Sequence, residues 1–153
     1  MNTTKGSTRI VLGYTSALEF ANRIFLDLSK REKPVLPLVR KTISSPFFED
    51  FEVLTFQLEE LLAEKLRVAV QRKKPRDYLD IYYIAESGNA DFTKAAGIAK
   101  KKLSAYKEKL DKSRILEDTE LVQALWEQDL KEVLPRIPDF GEVLNTIKKV
   151  FTT

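Results

Sequence analysis

Five charged side chains within a short span of this chain have the types and spacing to do chemistry: Lys65, Arg72, Arg76, Asp77 and Asp80. Three cations interleaved with two carboxylates suit the handling of phosphate. Ammonium and guanidinium groups neutralise phosphoryl oxygens and hydrogen-bond to them, while carboxylates hold those cations in place. Plainer readings stand beside this one. Lys65 can snorkel to solvent or settle into a structural ion pair. Asp77 in a first helical turn complements the helix dipole, and Arg76 with Asp80 forms an i,i+4 pair worth about 0.2–0.5 kcal/mol.

The elements that must position these residues are two helices and the turn between them. Leu58, Leu61, Leu62, Leu66 and Ala69 recur at helical spacing, which predicts an amphipathic helix with Lys65 in the middle of its apolar stripe. Arg72, one heptad on, falls on the same side. Two cations therefore occupy positions where such a helix ordinarily carries Leu or Val, and burying an unpaired ammonium is costly. Lys73, Lys74 and Pro75 interrupt the pattern, and Pro75 suits the first turn of a second helix running through Ala85. That helix has a broad apolar side of Tyr78, Leu79, Ile81, Tyr82 and Ala85, with Arg76, Asp77 and Asp80 on the other. The five charges then gather around one interhelix turn as a phosphate-handling wall.

The run Leu61-Leu62-Ala63-Glu64-Lys65-Leu66-Arg67, followed by Gln71-Arg72-Lys73-Lys74-Pro75-Arg76-Asp77-Tyr78-Leu79-Asp80-Ile81-Tyr82-Tyr83, resembles the signature of the abortive-infection nucleotidyltransferase toxins of the AbiEii/AbiGii type. The resemblance is strong from Ile24 to Ile84 and generic beyond it. It implies that the chain moves a nucleoside monophosphate from an NTP to an acceptor such as tRNA or another RNA. It also implies a Mg²⁺ cofactor and a cognate antitoxin as partner. Lys65 is implied to contact nucleotide phosphates, with Arg76, Asp77 and Asp80 completing the surroundings. Upstream, Ile24-Phe25-Leu26-Asp27-Leu28-Ser29 resembles the family's hydrophobic-Asp-hydrophobic-Ser strand, which makes Asp27 the implied metal ligand or general base. Read from its residues alone, Asp27 is equally a solvated side chain on a two-faced strand. The family pattern opens with a Gly-Ser turn and an Asp-x-Asp pair that have no counterpart here, since Lys5-Gly6-Ser7 is not followed by such a pair. The expectation is the C-terminal portion of such an enzyme, incomplete as a catalyst alone, without a missing N-terminal half: a truncated gene product, one half of a split protein, or a degenerate homologue. Two-metal phosphoryl transfer requires carboxylates that clamp both ions.

Composition narrows the chemistry further. The 153 residues fit one domain by size, and a 43% apolar content is ordinary for a folded chain. There is no Cys and no His. Disulfides, thiolate metal sites and histidine-based hydrolase mechanisms are excluded, and any metal must take oxygen ligands, favouring Mg²⁺, Mn²⁺ or Ca²⁺. A formal charge of +3 permits a nucleic-acid partner without requiring one. Without a signal peptide or a membrane-length apolar run, the expectation is a cytoplasmic protein with no membrane partner.

The predicted fold class is α+β: a small, incomplete N-terminal sheet over residues 1–56 followed by a helical domain over 57–153. Met1 to Thr8 reads as a frayed end. Strands are predicted over Arg9–Tyr14, Asn22–Ser29 and Phe51–Phe56, with a proline-bearing extended connection from Lys30 to Asp50. Thr55 is a candidate cap for the helix that starts near Gln57. Asp91 can cap a helix with Phe92, Ala95, Ala96, Ala99, Leu103, Tyr106 and Leu110 inward and Lys100, Lys101, Lys102, Lys107 and Lys109 on a basic face. That face is solvated surface or, in the alternative to an enzyme, part of a non-catalytic module that binds RNA or an antitoxin. A helix over Asp118–Val133 is expected to turn Leu121, Leu125 and Trp126 inward, and a last helix spans Asp139–Phe151.

Overall fold

The computed structural model describes residues 2–3, 6–29 and 33–151. Its architecture is α+β, as the sequence predicts, and the chain forms two compact units, Met1–Pro34 and Val35–Thr153.

In the first unit β1 (Asn2–Thr3), β2 (Ser7–Thr15) and β3 (Ala21–Ser29) form an antiparallel sheet in the order β1-β2-β3. The start of the chain is not merely a frayed end, because Asn2 and Thr3 pair with Arg9 and Thr8. Lys5, Lys30, Arg31 and Glu32 lie outside the described residues. The β2–β3 register sets Ile10 opposite Leu26 and Leu12 opposite Ile24 on one face, and Arg9 opposite Asp27 and Val11 opposite Phe25 on the other. Glu19, with φ 62, takes the left-handed position in the connecting turn, where its N–H donates to the Ser16 carbonyl. Leu12, Ile24, Leu26, Leu28 and Phe25 remain substantially exposed on this sheet.

The second unit opens with a hairpin of β4 (Val39–Ser45) and β5 (Phe48–Thr55). The extended connection expected over Lys30–Asp50 thus contains a full strand and the start of another. Pro34 and Pro37 precede β4 and Pro46 sits in the turn, so none removes a ladder hydrogen bond. Thr55 closes β5 and does not cap. Gln57 is the N-cap residue of α1 (Leu58–Arg72), without a side-chain cap. Five further helices follow: α2 (Pro75–Glu86), α3 (Phe92–Ser104), α4 (Lys112–Leu116), α5 (Glu120–Leu130) and α6 (Phe140–Val150).

α1 packs against α2 and α3, and α2 against α5 and α6. Their shared core holds Leu62, Leu66, Tyr78, Ile81, Leu103, Ile115, Val122, Leu130, Val143 and Ile147, all fully buried. Asp91 caps α3 by accepting from the Lys94 N–H at 2.9 Å, and Asp139 caps α6 from Glu142. Four sequence expectations change. α3 stops at Ser104, leaving Tyr106 exposed, and the short α4 forms behind an Asp111 cap. α5 starts at Glu120 because Asp118 stands at φ 49, and Leu121 faces solvent while Val122 and Trp126 turn inward. Trp126 is a packing residue, its ring 5.0 Å from Phe140 and its Nε1–H donating to the Pro138 carbonyl at 2.8 Å. Among the described residues no helix is long and apolar enough to cross a membrane.

Candidate active site at the turn between α1 and α2

α1 ends at Arg72 because Lys73 adopts the left-handed conformation, φ 45, and Pro75 begins the next helix at its first position. Lys73 Nζ donates to the carbonyls of Glu117 and Asp118, pinning this two-residue link to the segment before α5. The buried stripe of α1 is Leu62, Ala63, Leu66, Ala69 and Val70, shifted from the one expected, with Leu61 exposed. Lys65 therefore stands at the border of the stripe and not in its middle.

Asp77, expected on the polar side of α2 with Arg76, is 1% exposed and forms the floor of the cluster. Arg72 grips it with two bonds, Nε to Oδ2 at 2.8 Å and Nη2 to Oδ1 at 2.9 Å. Lys65 Nζ lies 2.5 Å from Asp80 Oδ2 and 3.6 Å from Asp77 Oδ1, with 32% of its side chain exposed. A carboxylate this buried is tolerable only when paired with cations, and here Arg72 hydrogen-bonds to both its oxygens while Lys65 adds a longer ion pair. The same contact holds the Arg72 guanidinium above its ordinary range. The i,i+4 pair of Arg76 with Asp80 does not form, because Asp80 turns to Lys65. Arg76 is exposed and has no ion-pair partner among the described residues. The structure thus brings Lys65, Arg72, Asp77 and Asp80 into one network with Arg76 beside it. Three cations against two carboxylates leave the group cationic, and the ammonium and both guanidiniums retain N–H donors for an incoming anion.

Asp27 belongs to the first unit, half-exposed on β3. Arg9 donates to both its oxygens, Nε to Oδ1 at 2.6 Å and Nη2 to Oδ2 at 2.7 Å. Those bonds hold the Asp27 carboxyl below its ordinary value and the Arg9 guanidinium above its own. For Mg²⁺ the donor set does not fit. Mg²⁺ needs an octahedral oxygen shell, both Asp27 oxygens are already engaged, and the described residues contain no cluster of three or more acidic side chains able to hold a metal.

A second polar cluster lies on the other border of α1 and escaped sequence reasoning. Lys102, placed by sequence on the solvated basic face of α3, is 10% exposed. Its Nζ lies 2.7 Å from Glu60 and also pairs with Glu64. The Glu60 carboxylate additionally accepts from the backbone N–H groups of Val35 and Leu36. Burial pushes the Glu60 carboxyl up, but Lys102 and the two amides outweigh it and hold it below its ordinary value. The signal was present in the spacing, because Lys102 follows Ala95 by seven residues on the stripe of Ala95, Ile98 and Ala99. The cluster anchors the chain entering β4 and, among the described residues, holds its lysine in ion pairs with two glutamates. A cleft of about 840 Å³ between α2, α5 and α6, lined by Tyr82, Tyr83, Trp126 and Arg136, contains none of the predicted site residues.

Compared with known proteins, the chain matches the family model described as "Nucleotidyl transferase AbiEii toxin, Type IV TA system" over residues 4–146. No curated protein and no solved structure shows significant similarity to it.

Proposed function

Because this chain belongs to the family of AbiEii nucleotidyl transferase toxins of type IV toxin–antitoxin systems, we propose that the network at the α1–α2 turn receives the triphosphate of an NTP whose nucleoside monophosphate passes to an acceptor such as tRNA. The observation that carries the reading is the pairing of Lys65 with Asp80, beside Arg72 locked onto buried Asp77. A partly exposed ammonium held in place by carboxylates loses little side-chain freedom when it exchanges one of them for a phosphate oxygen.

Each residue then has a distinct task. Lys65 neutralises triphosphate charge, with Arg72 and Arg76 supplying guanidinium donors to the oxygens as pyrophosphate leaves. Asp77 and Asp80 are positioning residues that keep these cations aimed. Asp27 is the proposed acceptor-side carboxylate, and Arg9 must release it before it can act. A divalent ion, when bound, would neutralise phosphate charge. Its ligands are not assembled by the described residues, so we assign them to a separate chain that carries a Gly-Ser and Asp-x-Asp segment and acts with this one. The exposed aliphatic face of the β2–β3 hairpin supports such an association, because a sheet face of this kind is ordinarily covered. A cognate antitoxin is the proposed biological counterpart.

The test is transfer of label from α-labelled NTPs to tRNA by this chain mixed with the product of the adjacent upstream reading frame. Incorporation should fall about a hundredfold in Lys65→Ala, on the scale of losing one preorganised electrostatic contact. Labelling that is absent from the mixture, or indifferent to Lys65→Ala, overturns the reading.

A further inference from the structure

A groove of about 590 Å³ lies between α3, the segment leading into α4, and the end of α6, away from the Lys65 network. Its floor is apolar, formed by Phe92, Ala96, Leu110, Val150 and Phe151, and its volume is that of an ordinary ligand site. Its rim carries Lys100, Lys109 and Lys112, all exposed and none with an ion-pair or hydrogen-bond partner among the described residues. The acid on the groove, Asp111, is already committed, since its Oδ1 accepts from the Ser113 N–H at 2.9 Å and the Ser113 hydroxyl at 2.8 Å to cap α4. Asp111 keeps its charge but forms no ion pair with the rim lysines among the described residues, so three ammonium groups against one carboxylate leave the rim cationic.

We propose that this groove docks an acidic amphipathic helix of a partner protein. An apolar row on such a helix, at i, i+4 and i+7, covers the floor, and glutamates or aspartates beside it meet the three lysines. Charge complementarity selects an anionic partner, and the floor selects a protein over a nucleic acid. Phe92, Leu110 and Phe151 pack against the core, offering apolar contact to aliphatic side chains and little free ring face for stacking bases. The proposal stands independently of the nucleotide site, since no residue is shared between them.

The experiment uses the full chain and fluorescence anisotropy at physiological salt. The probe is a labelled synthetic helix of about fifteen residues, long enough to hold helical structure, with leucines at i, i+4 and i+7 and flanking glutamates. The comparators are the same peptide with lysines replacing the glutamates and a single-stranded RNA of mixed sequence. The acidic peptide should bind at least about tenfold more tightly than either comparator, and the double variant Lys100→Glu/Lys112→Glu should abolish that preference. Ala96→Glu, which puts a charge on the floor, should weaken the peptide by about tenfold or more. Melting curves matching the parent chain show that both variants fold, and unfolded variants would be replaced by Lys100→Ala/Lys112→Ala, for which the same loss is expected. Equal binding of the acidic and basic peptides overturns the proposal, as does peptide binding indifferent to Ala96→Glu. Tighter RNA binding that the lysine variants remove overturns it in favour of a nucleic-acid surface.

Discussion

Lys65 and Lys102 each meet two carboxylates, and burial separates what they do. Lys102 is enclosed between α1 and α3, so removing it leaves buried Glu60 with no cation beside it, while Glu64 keeps Arg67. Lys102→Ala should cost about 3–5 kcal/mol in urea denaturation, whereas Lys101→Ala should stay within about 0.5 kcal/mol. The Glu60 carboxyl, depressed in the folded chain, adds stability that is present above its ordinary value of 4.5 and is lost as pH falls through the lower folded value. Melting temperature should therefore drop below about pH 4.5, and Glu60→Gln should be less stable at neutral pH with a flatter acid limb. An unchanged acid limb in Glu60→Gln contradicts the assignment. The Lys65 cluster was legible because its residues lie within one helix–turn–helix, where spacing alone sets neighbours. Lys102 was hidden in a run of three lysines, and the carboxylates facing it come from another helix.

At the scale of elements, helix starts were read well wherever a capping aspartate precedes an apolar stripe, as at Asp91 and Asp139, although the stripe after Asp91 was read past the end of α3 at Ser104. The strand Val39–Ser45 was missed because Pro34, Pro37 and Pro46 were read as breaking the whole segment, when each falls just outside a ladder. α4 was missed because it is only five residues long with Ile115 alone fully buried, so it has no period to detect. It is held from outside: the Tyr78 hydroxyl of α2 donates to the Ile115 carbonyl at 2.8 Å, and burial, with the Asp77 charge, pushes the phenol up to about 12. Tyr78→Phe should cost about 0.5–1.5 kcal/mol and raise amide exchange in α4 before it does so in α1. Uniform exchange across the helices would show that this bond does not hold α4.

For the whole molecule, the helical unit has a closed core, while the β2–β3 hairpin leaves Leu12, Ile24, Leu26 and Leu28 exposed with the outer edge of β3 unpaired among the described residues. Such a face and edge promote association, so light scattering should rise with concentration and Leu26→Lys should suppress it; a chain that stays monomeric throughout contradicts this. The α+β class could be read from the sequence. The bonds from the Val35 and Leu36 amides to Glu60 could not, because they join residues about 25 apart in sequence with no pattern to announce them. The central claim is that the Lys65 ammonium is held ready for triphosphate, and isothermal titration of the four NTPs with Mg²⁺ into the full chain, alone and mixed with the upstream product, tests it most directly. The account predicts binding that weakens about tenfold or more in Lys65→Ala and is unchanged in Lys101→Ala. Equal affinity in the parent chain and Lys65→Ala, or no binding of any NTP, would contradict it.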